Sequence, residues 1–188
     1  MSAALLTHRL PLYLALFALT QCSKCKNSPN PTDPASQLPP ATQTGANTFG
    51  CLVNGHAYTP AGRTGLGANF LVGYDPTFQG GDLVVATYAV SSPTSSQYLL
   101  VGGAGIASPR SYTFGPGSQL RTSFQDASRP QPCDGYDSRV SGTFSKGRLT
   151  ITRLDQRARI IAGTFDCVLV QPGCDTLRIT QGRFDGTY

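Results

Sequence analysis

Acid–base chemistry in this chain would have to run through one histidine and a set of aspartates. His8 lies in an apolar leader, so His56 alone is left to act as a base in a Ser-His-Asp or Cys-His arrangement. It falls at the edge of a hairpin, which is a poor place for a site. All ten acidic residues are Asp and Glu is absent. Asp75, Asp82, Asp126, Asp134 and Asp137 stand near turn residues, where Asp is favoured because its carboxylate caps the backbone two residues on. A hydrolase would have to draw on His56, Asp134 and Asp137. A calcium site on Asp134 and Asp137 lacks the dense oxygen ligands of a loop site. The run Gly102-Gly103-Ala104-Gly105 has no Gly-Lys-Ser/Thr ending, so it reads as a flexible connection rather than a phosphate loop. The expectation is a non-enzymatic protein without metal or cofactor.

Cysteine offers a second kind of chemistry. Six are present: Cys22, Cys25, Cys51, Cys133, Cys167 and Cys174. The last four belong to the folded part, and none of them are spaced two residues apart as zinc sites require. Four cysteines allow three pairings. Cys167 is expected to face the core and Cys174 to lie beside a loop, too far apart to be bridged. Cys51 and Cys133 should therefore take Cys167 and Cys174 in some order, the preferred set being Cys51 with Cys174 and Cys133 with Cys167.

Arginine offers the third. Arg139, Arg148, Arg153, Arg157, Arg159, Arg178 and Arg183 fall in the last fifty residues, against Asp155, Asp166, Asp175 and Asp185. Guanidinium groups on a sheet face can hold phosphate or carboxylate bidentately. The competing expectation is solvated arginines on an outer face, some paired with the aspartates.

The elements that must position these groups read as strands. With no Glu and only Lys24, Lys26 and Lys146, the chain has little with which to decorate a helix. Thr48 to Val53 and His56 to Thr59 flank Asn54-Gly55, the dipeptide suited to a type I′ turn. Further strands are expected at Asn69 to Tyr74, Asp82 to Val90, Gln97 to Val101, Ser111 to Phe114, Leu120 to Phe124 and Arg139 to Phe144, with a hairpin from Ile160 to Thr180. In that hairpin a two-residue loop at Pro172-Gly173 would set apolar against polar residues, whereas an odd loop, of three residues, places Phe165, Cys167, Leu169, Leu177 and Ile179 inside and turns Arg178 and Thr180 outward. The predicted fold is all-β, an antiparallel β-sandwich or partly closed β-barrel of about 8–10 strands.

Ahead of the domain, one positive charge and an apolar run from Leu10 to Thr20 precede Leu19-Thr20-Gln21-Cys22. The run is too short for a bilayer-spanning helix. It resembles a bacterial lipoprotein signal, residues 1–21, with Cys22 as the lipidated first residue of the mature chain. Residues 22–46 are rich in Pro and small polar residues and read as a disordered tether. The all-β domain is then 47–188.

Two segments, Leu38-Pro39-Pro40-Ala41-Thr42-Gln43-Thr44-Gly45-Ala46-Asn47-Thr48-Phe49-Gly50-Cys51-Leu52-Val53-Asn54-Gly55 and Gly173-Cys174-Asp175-Thr176-Leu177-Arg178-Ile179-Thr180-Gln181-Gly182-Arg183-Phe184-Asp185, resemble a family of uncharacterised Bacteroidota lipoproteins. The resemblance implies location and fold and carries no activity. Surface export in that group goes with acidic residues after the lipidated cysteine, and the basic Ser23-Lys24-Cys25-Lys26 here implies the periplasmic side of the outer membrane. The reading is a cell-envelope lipoprotein, membrane-bound through its lipid, whose β domain binds an anionic envelope ligand or a protein partner. A pI near 9.0 suits nucleic acid, but that compartment does not. The alternative is a hydrolase of envelope material using the three residues named above.

Overall fold

The computed structural model describes residues 33–188, apart from Thr64, Leu66 and Pro93. The lipoprotein signal, Cys22, Cys25 and the first part of the Pro-rich segment lie outside the described residues. Eleven strands follow in order: β1 (Thr48–Val53), β2 (His56–Tyr58), β3 (Phe70–Asp75), β4 (Asp82–Ser92), β5 (Ser95–Gly103), β6 (Ser111–Phe114), β7 (Leu120–Asp126), β8 (Gly135–Asp137), β9 (Phe144–Asp155), β10 (Ile160–Val170) and β11 (Leu177–Thr187). They build two antiparallel sheets, one ordered β2-β1-β11-β10-β9-β6 and the other β3-β4-β5-β7-β8. The sheets stack as a sandwich and do not close into a barrel.

Period-two alternation makes one face of each strand apolar, and the two apolar faces meet. Leu83, Val85, Leu99, Val101 and Phe124 from the five-stranded sheet pack with Leu149, Ile151, Ile161, Phe165, Leu169 and Ile179 from the six-stranded one. Thr87 sits among them without exposure, and its hydroxyl is met by the Tyr58 hydroxyl at 3.1 Å and the Leu99 carbonyl at 3.2 Å. A buried hydroxyl is tolerated when it is bonded in this way.

Several local expectations hold. Asn54 and Gly55 both have positive φ, 49° and 83°, as a type I′ turn requires. In the last hairpin Leu169 stands opposite Leu177 and Cys167 opposite Ile179, so an odd number of residues lies between paired positions, as the expected parity requires. All five expected core residues are buried, and Arg178 and Thr180 are exposed. The connection is longer than three residues. A bulge with Gln181 at φ 53° then resets the register, so that Phe165 faces Gly182. A Cβ at position 182 would lie 2.5 Å from the Phe165 ring, so the glycine makes room for it.

Three expectations are corrected. Of the strand expected at Arg139 to Phe144, only Phe144 is in one, as the first residue of β9: the Asp137 carboxylate takes the Arg139 backbone N–H at 2.9 Å and turns the chain, leaving Val140 57% exposed. The strand that pairs with β7 is the three-residue β8. The described residues hold eleven strands, beside the expected count of about 8–10. The domain start also moves, from Asn47 back to Asp33 at the latest.

That last correction changes the meaning of the Pro-rich segment. Residues 33–46, expected to belong to a disordered tether, form a strap on the outer face of the six-stranded sheet. Asp33 caps a single 3₁₀ turn, Pro34–Gln37, through the Ala35 N–H. Leu38 is buried, and Pro39 lies over Gly50, where a Cβ would come within 2.7 Å of its ring. Arg183 donates to the Pro39 carbonyl, and Arg153 donates to that of Gln43. Asp185 points outward between inward-facing Phe184 and Gly186, yet is 1% exposed because Thr42 to Ala46 cover it.

Candidate functional site

Polar side chains converge at the end of the sandwich where the Asn54-Gly55 turn, the β7–β8 loop and the β10–β11 loop gather. A cleft of about 330 Å³ opens there, lined by Val53, His56, Tyr58, Gln97, Phe124, Asp126, Arg129 and Leu177, among others. Val53, Tyr58, Phe124 and Leu177 make an apolar floor. β1 and β2 supply one wall, because Val53 and His56 are cross-strand partners and both turn toward the gap between the sheets. The ends of β5 and β7, where Gln97 faces Asp126, supply the other.

Asp126 has both carboxylate oxygens engaged. One accepts the Ser128 N–H at 3.0 Å and its hydroxyl at 2.6 Å, and the other accepts the Gln97 amide at 2.8 Å. Burial by itself raises its pKa. The bonds from Ser128 and Gln97, with the nearby Arg129 charge, outweigh that and hold the group below its ordinary value. Asp126 is therefore a satisfied anion that organises the loop.

Arg129 is the free one. Its guanidinium lies over the Tyr136 ring at 5.9 Å and donates to the Tyr136 hydroxyl at 3.3 Å, with a longer contact of 3.5 Å to the Cys133 carbonyl. Tyr136 is 1% exposed and its own hydroxyl donates a hydrogen bond to the Asp175 carbonyl at 2.7 Å. Among the described residues no carboxylate comes within 4.0 Å of Arg129, since ion pairs form only at Arg121–Asp82, Arg139–Asp137 and Arg153–Asp155. A planar cation is thus held at the mouth of a partly apolar cleft with its charge uncommitted, which suits a carboxylate or phosphate group.

A disulfide fastens this end. Cys133 in the β7–β8 loop is bonded to Cys174 in the β10–β11 loop, with Cα atoms 5.5 Å apart, which ties one sheet to the other. The preferred pairings Cys51–Cys174 and Cys133–Cys167 are both overturned. Cys51 and Cys167 are free and buried in the core, below the level of the loops. They lie on β1 and β10, on either side of β11, so two strand spacings of ~4.8 Å separate them and exceed the reach of a bridge. Burial pushes the Cys167 thiol up to about 12 and the Cys51 thiol higher still, which makes both poor nucleophiles.

The other sequence candidates are dispersed. His56 lines the cleft, but Asp134 lines a neighbouring hollow and Asp137 is paired with Arg139 at 2.9 Å, so the three do not surround one space. The seven arginines do not form one face either. Arg148, Arg153, Arg178 and Arg183 occupy outward positions on the six-stranded sheet, and of these Arg153 and Arg183 hold the strap. Arg157 and Arg159 sit in the β9–β10 turn, where Arg159 binds the Tyr188 carbonyl, and Arg139 belongs to the other sheet's end. Alternation along a strand could assign the first group, whereas nothing local marks a turn or partner for the rest. No local pattern marks Arg129, because its significance depends on Tyr136 and the disulfide loop. Among the described residues no group of three or more His, Cys or Asp side chains is placed to hold a metal ion. Comparison of the chain with protein-family models, with characterised proteins and with solved structures finds no match.

Proposed function

We propose that this chain is an exported, lipid-anchored envelope protein of the periplasmic side and that its β-sandwich is a non-enzymatic module binding an anionic ligand in the cleft at the disulfide-bonded end. The observation that carries the binding role is Arg129, fixed by Tyr136 and, among the described residues, unpaired by any carboxylate. His56 stands across the same cleft. The Asp126 charge beside Arg129 is already met by Gln97 and Ser128, so an incoming carboxylate or phosphate has a donor waiting and no bare anion to displace. The apolar floor of Val53, Phe124 and Leu177 fits the body of a small organic acid, an acidic sugar or a lipid head group.

Export is supported by the Cys133–Cys174 bond, since disulfides persist in oxidising compartments. It is supported as well by the leader ending in Thr20-Gln21-Cys22 and by the resemblance of residues 38–55 and 173–185 to Bacteroidota lipoproteins. Mass spectrometry of the mature N-terminus tests the anchor: the expected species starts at acylated Cys22, and an intact unacylated Met1 on cytosolic protein contradicts it. An NMR titration with inorganic phosphate and with trigalacturonate tests the cleft. Amide shifts clustered around Arg129, His56 and Gln97 are expected, and shifts confined to the outer face of the six-stranded sheet contradict it.

A further inference from the structure

The hollow that holds Asp134 has a different chemistry from the cleft. It lies beyond the Gln97–Asp126 wall, on the outer face of the five-stranded sheet, with a volume of about 260 Å³. Tyr88 of β4 and Tyr98 of β5 are cross-strand partners there, and Gln125 of β7 stands opposite Tyr98 on its other side. The two rings are 4.9 Å apart and tilted by 44°, which makes a bent aromatic wall. Ser96, Gln97, Asp126, Ala127 and Asp134 complete the lining.

We propose that this hollow binds a neutral oligosaccharide. A sugar ring presents an apolar face of C–H groups and a belt of hydroxyls. The phenol rings supply the surface on which the C–H face stacks, and being amphipathic they do so at the water boundary. The Gln125 amide can donate to one hydroxyl and accept from its neighbour, while the Asp134 carboxylate can accept from two. Among the described residues, the Asp134 carboxylate, the Gln125 amide and the Tyr88 and Tyr98 hydroxyls make no hydrogen bond within the protein, so all four are available.

Charge selects the class of sugar. Asp134 is the uncommitted carboxylate of a lining that has no Lys, Arg or His, so an acidic sugar would meet like charge at close range. The tilt of the rings selects its form. A flat crystalline polysaccharide needs coplanar rings, whereas a bent pair fits one ring of a soluble chain with the next ring turned away. The hollow and the anionic cleft share the Gln97–Asp126 wall, but the cleft has Arg129 and His56 where the hollow has no cationic side chain.

The test is a calorimetric and saturation-transfer titration of the full mature chain with maltotetraose, cellotetraose, tetraacetylchitotetraose and, as the acidic member, trigalacturonate. At least one neutral probe is expected to bind, with roughly tenfold weaker affinity in each of Tyr88→Ala and Tyr98→Ala, the loss of one aromatic contact. Both side chains lie on an outer face, so the core should survive, and Gln125→Ala gives a variant with still less structural risk and a smaller loss. No binding by any neutral probe, binding by trigalacturonate alone, or equal affinity in all three variants overturns the proposal.

Discussion

The backbone N–H of Gly45 donates to Oδ1 of Asp185 at 2.8 Å, joining positions 140 residues apart in the chain. The other carboxylate oxygen takes the Thr44 N–H at 2.8 Å, the Thr42 hydroxyl at 2.7 Å and the Ala46 N–H at 3.2 Å. One aspartate thus gathers a Pro-rich segment that its composition marks as loose and fixes it across the last strand.

Removing that carboxylate should release the strap. Asp185→Ala is expected to cost about 2 to 4 kcal/mol, because several N–H and O–H donors lose a charged acceptor. A chain beginning at Asn47 should show a similar loss relative to one beginning at Asp33. Urea denaturation of the two lengths and of the variant measures both, and an unchanged midpoint in either would show that the strap is idle.

The same carboxylate should make stability depend on acid. Burial raises its pKa, but the bonds from Thr42, Thr44, Ala46 and Gly45 prevail and hold it below the ordinary value. Its contribution is therefore complete above the unfolded pKa of about 4 and is lost as pH falls through the lower folded value. Wild type should lose more stability than Asp185→Asn between pH 5 and the acid limit, which thermal melts at stepped pH will read.

The Cys133–Cys174 bond closes 41 residues of sequence separation. On the chain-entropy account its removal should cost about 4 kcal/mol, measured as the denaturation difference between wild type and Cys133→Ser/Cys174→Ser. Cys51→Ser should not reproduce the effect through any lost bridge, and a shift in its non-reducing peptide map would contradict the pairing.

Cys51 and Cys167 should be silent in the native protein. Burial, and for Cys51 the neighbouring Cys167, raises both pKa values and closes access. Iodoacetamide at pH 8 should modify neither until denaturant is added, as peptide mapping of native and unfolded samples would record.

Much of this architecture was legible in residue pattern. Asn54-Gly55 fixed one hairpin by backbone preference, and the parity of the Cys167–Ile179 pairing followed from the need to bury one face. Asp75, Asp126 and Asp137 cap their own turns, as their neighbours suggested. What failed were matters of long-range approach. Thr42 to Ala46 look like linker until Asp185, far along the chain, supplies an acceptor. Cys133 and Cys174 lie in separate loops whose meeting depends on how two sheets stack. Arg139 to Phe144 carries a strand's composition, but Asp137 turns the chain before it can pair. Arg129 has no local signature at all, because what holds it is the ring of Tyr136 and a carbonyl of the disulfide loop.

The anionic cleft rests on one guanidinium, and its replacement is the most direct test. The affinity of the full mature chain for trigalacturonate should fall at least tenfold in Arg129→Gln, and wild-type binding should weaken as salt rises from 50 to 300 mM. Equal affinity in Arg129→Gln and wild type, with no dependence on salt, would contradict the assignment.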